Sequence, residues 1–148
     1  MVLDKDGASD GSTTILVVDD EPSFRSLVTA VLGSLGYDVV VACDGEEALD
    51  LLSRKHYVGV VTDINMPNLC GNGLVRAIRR SEYEWVRNVP IIVLSSQSDP
   101  RTRLRFHQMG VNEFVAKPID TSRLTAAAIR QFESVSNHQA ETGRGIRD

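Results

Sequence analysis

Cysteine is scarce in this chain: Cys43 and Cys70 are the only two in 148 residues. They form neither a metal-ligand spacing nor a disulfide framework, so the expected setting is a reducing cytoplasm, with each thiol a small polarisable side chain near the core. Histidine is equally thin. His56, His107 and His138 lie far apart with no ligand partner at motif spacing, which argues against an imidazole metal site. No apolar run approaches the length of a membrane span. The opening MVLDKDGASDGSTT lacks both the basic and the apolar region of a secretion signal. Basic charge is also short, with 16 Lys and Arg against 20 Asp and Glu and a formal charge of −4. That balance argues against broad electrostatic binding to nucleic acid or to an anionic membrane.

What is present suits one soluble domain, since 42% of residues are hydrophobic and 24% charged. Residues 1–13 are rich in Asp, Gly, Ser and Thr, and residues 136–148 read SNHQAETGRGIRD. Both are expected to be flexible tails around a domain over 14–135. Within the domain stand five short apolar runs: ILVV (15–18), DVVVA (38–42), VGVV (58–61), PIIVL (90–94) and EFVA (113–116). Runs this short, rich in Val and Ile and without alternation, predict strands buried on both faces.

Helical spacing fills the intervals. The clearest case is Phe24, Leu27, Val28, Val31, Leu32 and Leu35, with Gly36 at the stop. Further helices are expected near 46–54, 73–80 and 100–109, the last with a poor amphipathic pattern. A fifth starts near Thr121 behind a capping Asp120 and uses Leu124, Ala128 and Phe132. Five alternating strand and helix units predict an α/β fold, a doubly wound parallel sheet with helices on both faces.

The chemistry gathers where those strands end. ILVV runs into Asp19 and Asp20, VGVV into Thr62 and Asp63, PIIVL into Ser95 and Ser96, and EFVA into Lys117 and Pro118. Each has an ordinary reading alone: the acids as a helix start before Pro22, Asp63 as a turn cap, Lys117 as a solvated charge. In a parallel sheet, however, all four ends share one edge, where ligands of such folds bind. Clustered carboxylates raise one another's pKa values unless a cation relieves them. Mg²⁺ suits the few oxygen ligands on offer better than Ca²⁺. A cation beside Lys117 makes a landing place for a phosphoryl group, which a carboxylate there can accept as an acyl phosphate.

VVDDEP, TDINMPNLCGNGL, PIIVLSS and VNEFVAKPID together resemble the receiver domains of two-component response regulators, over about residues 14 to 134. The resemblance implies a flavodoxin-like, five-stranded sheet of order 2-1-3-4-5. It implies Asp63 as phosphoacceptor and Mg²⁺ held by Asp20 directly, by Asp19 through water, by Asp63 and by the Asn65 backbone carbonyl. It further implies Ser95 as the switch hydroxyl, Lys117 as the partner of the phosphoryl group, Pro118 behind a cis bond and Phe114 as the aromatic switch. Two departures stand out: Cys70 where many relatives carry Asp, and Ser96 as a second hydroxyl beside Ser95.

The implied partners are a histidine kinase or histidine phosphotransfer protein as phosphodonor, and a protein effector on the face of the fourth helix, fifth strand and fifth helix. Direct DNA or membrane contact is not expected. The chain reads as a standalone receiver or as a receiver segment of a hybrid kinase or longer regulator, and not as a turnover enzyme. A haloacid-dehalogenase-like phosphatase wants D-x-D after the first strand, where this chain has Asp19, Asp20 and Glu21. A dinucleotide site is disfavoured because Gly71-Asn72-Gly73 lacks the third glycine and lies too far past its strand. A receiver-fold docking module that is never phosphorylated would usually have lost one of the acids or the lysine.

Overall fold

A computed structural model describes residues 13–64, 71–97 and 99–133. Asn65 and Cys70 lie outside these residues, as do nearly all of both expected tails. The described chain alternates strand and helix as expected: β1 (Thr14–Val18), α1 (Pro22–Ser34), β2 (Asp38–Ala42), α2 (Gly45–Leu52), β3 (Gly59–Asp63), α3 (Gly71–Arg79), β4 (Ile91–Ser95), α4 (Pro100–Gln108), β5 (Glu113–Ala116) and α5 (Thr121–Ala128). The strands pair in parallel in the order β2-β1-β3-β4-β5. That is the doubly wound 2-1-3-4-5 arrangement.

Alternate residues of each central strand feed opposite faces. Leu16, Val18, Val60 and Val93 pack with Ala48 and Leu52 of α2, Leu74 and Ile78 of α3, and Phe106 of α4. Ile15, Val17, Val61 and Ile92 pack with Val28 and Leu32 of α1 and with Leu124 and Ala128 of α5. The sheet is therefore sandwiched between a three-helix layer and a two-helix layer. Burial on both faces holds for β1, β3 and β4, whose residues are all buried. It fails for the edge strands. β2 leaves Asp38 and Val41 exposed, and β5 buries only Val115, because each has one neighbouring strand and partial helix cover.

Local chemistry starts and stops the helices. Pro22 occupies the first turn of α1 with Glu21 as an extended N-cap. The helix ends where Gly36 takes φ 96°, letting the Tyr37 N–H donate back to the Leu32 carbonyl at 3.3 Å. Asp44, Asp99 and Asp120 each accept N–H bonds from the helix they open.

Four elements depart from the sequence expectation. β3 and β4 run past their apolar runs to include Asp63 and Ser95, because the backbone ladder continues through those polar residues. A helical turn at Glu84–Arg87 precedes β4, anchored by Trp85 Nε1 donating to the Leu52 carbonyl at 3.2 Å. After α5 the chain widens into a π-helical turn, Ile129–Glu133, that lays the Phe132 ring directly over Gly59. Cys43, expected near the core, is exposed. It follows the last residue of edge strand β2, where the chain leaves the sheet to cap α2.

Candidate functional site

The ladder register brings the polar strand ends together. Val18 pairs with Thr62, so Asp19, one residue on, falls level with Asp63 across the β1–β3 seam. This seam is where the strand order reverses, the place at which doubly wound sheets open a crevice. On the other side of β3, Asp63 pairs with Leu94, and Ser95 pairs with Ala116. The Lys117 N–H then donates to the Ser95 carbonyl at 2.8 Å. From there the Lys117 side chain reaches the acids, with Nζ 2.8 Å from Asp63 Oδ1. The Lys117–Pro118 peptide bond is cis, as the resemblance implied.

Asp63 is 5% exposed and Asp19 1%, whereas Asp20 is exposed. One carboxylate oxygen from each of Asp19, Asp20 and Asp63 lies within 4.8 Å of the others. Asp19 Oδ1 accepts the Glu21 N–H at 2.9 Å, while Oδ2 is buried with no hydrogen-bond partner. Burial is the largest influence on Asp19 and pushes its carboxyl above the ordinary carboxylate range. The Glu21 N–H opposes this, the Asp63 charge adds to it, the Lys117 ammonium opposes it and Asp20 adds again. An orphaned, buried carboxylate oxygen among two other acids is the chemistry of a hard-cation site.

Ser95 is 1% exposed, and its hydroxyl accepts the Gln97 N–H at 2.9 Å; Ser96 beside it is exposed. Phe114 stands apart from the acids. It is half-buried on β5, paired with Val93, two positions before the Ser95–Ala116 pair. Its ring lies 6.2 Å from that of Phe106, and the Arg103 guanidinium of α4 sits 5.2 Å from its centroid. Next to these residues a cavity of about 330 Å³ opens between α4, β5 and α5, lined in part by Arg103, Phe114, Arg123 and Arg130.

Sequence reasoning missed a neighbour of Asp19 and a neighbour of Lys117. Arg25 Nη1 donates to the Asp19 carbonyl at 3.0 Å and lies 3.6 Å from Cys43 Sγ. Phe24, read as one of the apolar positions of α1, places its ring centroid 4.1 Å from Lys117 Nζ. The available signal was position: both residues belong to the first turn of a helix that starts three residues after Asp19.

An acidic cluster and a lysine at the switch point of a doubly wound sheet define a class of α/β protein that binds its ligand beyond the strand ends. The comparisons with known proteins specify the family. The family model described as the response regulator receiver domain matches residues 15–129. The chain is 36% identical over 135 residues to a probable transcriptional regulator ycf27 of Porphyridium aerugineum, covering 89% of this chain and 54% of that protein. It is 41% identical over 106 residues to the CAI-1 autoinducer sensor kinase/phosphatase CqsS of Vibrio cholerae, covering 72% of this chain and 15% of that one.

Among solved structures, the chemotaxis response regulator CheY4 of Vibrio cholerae superposes with a TM-score of 0.74 at 29% identity, covering 80% of this chain and 97% of that one. The receiver domain of sensor histidine kinase PA1611 from Pseudomonas aeruginosa gives a TM-score of 0.74 at 33% identity, covering 82% and 98%. That structure holds a magnesium ion coordinated in its active site cleft. This chain belongs to the response regulator receiver family of two-component systems. It spans about half the length of the ycf27 regulator it matches. Among the described residues, no helix is long and apolar enough to cross a membrane.

Proposed function

We propose that Asp63 is the phosphoacceptor of this receiver and that its phosphorylation switches the binding of a protein partner. The observation that carries this reading is the buried Asp63 carboxylate, ion-paired to Lys117 at 2.8 Å and clustered with Asp19 and Asp20. A phosphohistidine of a kinase or phosphotransfer protein is the donor. An Asp63 oxygen bonds to phosphorus as the phosphorus–nitrogen bond breaks, and the departing imidazole takes up a proton. Lys117, already within reach of Asp63, pairs with the incoming phosphoryl oxygens. Ser95 exchanges its Gln97 N–H contact for one to the phosphoryl group.

The donor set fits Mg²⁺, as the unpartnered Asp19 Oδ2 indicates. Asp20 and Asp63 would hold it directly and Asp19 through water, with the carbonyl of Asn65 as a further ligand. When bound, the ion supplies positive charge that offsets the phosphoryl oxygens.

Output runs through Phe114 and the α4–β5–α5 face, where Arg101, Arg103 and Arg105 of α4 are exposed and suit an acidic protein surface. The Arg103–Phe114 contact couples that face to the aromatic switch. On this reading the chain works in the cytoplasm, turns over no small substrate and makes no direct contact with DNA. Incubation with a phosphorylated histidine donor tests it: the phosphoryl group should move stoichiometrically to Asp63. Catalytic release of phosphate from small phosphoesters would instead mark a phosphatase.

A further inference from the structure

Lys117 Nζ makes a second contact besides that to Asp63, 4.1 Å from the centroid of the Phe24 ring. A lysine ammonium ends a flexible four-carbon stem and has no planar fork to fix its direction, so its aim depends on what surrounds it. The face of an aromatic ring attracts such a cation electrostatically, more strongly where water is partly excluded. The Lys117 side chain is only 15% exposed.

Phe24 differs from the core-facing residues of its helix and, unlike the exposed Leu27, is half-buried. Val28 and Leu32 are buried in the cluster shared with α5, whereas Phe24 belongs to neither apolar cluster. Its ring is turned to the lysine instead, from the first turn of α1 at the carboxyl edge of the sheet.

We infer that Phe24 is a positioning residue for phosphoryl transfer, its ring holding the Lys117 ammonium beside Asp63. This rests on the reading of Asp63 as phosphoacceptor. With acetyl phosphate as donor, an Asp63 oxygen bonds to phosphorus while the bond from phosphorus to the acetate oxygen breaks, and acetate leaves with the electron pair. The ring has no atom to offer phosphate or metal, so it acts only through Lys117.

The test measures labelling rates of the full chain by acetyl phosphate at saturating Mg²⁺ in wild type, Phe24→Leu and Phe24→Tyr, each also in a Lys117→Gln background. Phe24→Leu should slow labelling about threefold to tenfold, with Mg²⁺ affinity unchanged. Phe24→Tyr, which keeps the ring, should restore the wild-type rate. With Lys117 replaced, Phe24→Leu should have no further effect, which a merely structural role would not produce. NMR should show the Lys117 ε-methylene signals losing their ring-current shift in Phe24→Leu and keeping it in Phe24→Tyr. Equal labelling of wild type and Phe24→Leu overturns the inference alone, as does a loss that persists in the Lys117→Gln background. A wild-type chain that takes no phosphoryl group on Asp63 overturns the phosphoacceptor reading and this inference with it.

Discussion

Lys117 Nζ and Asp63 Oδ1 are 2.8 Å apart, joining the ends of β5 and β3 across β4. The ammonium sits at one oxygen of a carboxylate that also belongs to the proposed Mg²⁺ site. Removing it should therefore separate two properties. Lys117→Gln should label at least about tenfold more slowly, because a charge-assisted contact to the phosphoryl group is lost. Mg²⁺ affinity should hold or rise, since a positive competitor has gone. Calorimetric titration checks this. Metal affinity lost together with labelling would show that the lysine merely supports the site's shape.

Asp19 gives a stability prediction with a definite sign. Burial, its largest influence, raises its folded pKa above the unfolded value. The stability tied to its protonated form is thus fully present below the unfolded pKa and is lost as pH rises through the folded one. At neutral pH without metal, Asp19→Asn should melt a few degrees above wild type, and the gain should vanish at about pH 3. Adding Mg²⁺ should stabilise wild type and do less for the variant. Thermal melts over that pH range, with and without Mg²⁺, decide it.

Gly59 lies in β3 directly beneath an aromatic ring. A Cβ there would overlap Phe132 of the π-helical turn. Gly59→Ala should cost about 1–3 kcal/mol, read as a lower melting temperature with the site still able to label. Combining it with Phe132→Leu should cost less than the sum of the two single changes, because the smaller side chain vacates the contact.

Arg103 lies against the ring proposed as the switch, so reversing its charge should affect output more than chemistry. Arg103→Glu should leave labelling at Asp63 within about twofold and weaken an acidic partner about tenfold or more in the phosphorylated state. Ser95→Ala should accept the phosphoryl group yet fail to shift the NMR signals around Phe114. Equal responses in wild type and Ser95→Ala would move the switch to Ser96.

Much of this was legible in the sequence because apolar runs and strand ends carry strong local signals. Val and Ile runs located all five strands, and the parallel ladder then brought Asp19, Asp63, Ser95 and Lys117 to one edge. Less visible were features that depend on tertiary contact. The turn at Glu84–Arg87 is too short to show a period and is held by tertiary contacts, among them the Trp85 hydrogen bond and the burial of Val86. Arg79 looks like a surface charge, yet its guanidinium is half-buried and donates to the carbonyls of Arg87, Val89 and Gly110. Phe24 fitted the helical stripe of α1, and only the fold reveals that its ring meets Lys117 instead of the core.

The phosphoacceptor reading meets its most direct test in one experiment: incubation with acetyl phosphate and Mg²⁺, borohydride trapping and mapping of the modified residue by mass spectrometry. The expected result is a single phosphoryl group on Asp63, with most labelling lost in Asp63→Asn and when Mg²⁺ is chelated. A label on Ser95, on a histidine or on any residue other than Asp63 in the wild-type chain would contradict it.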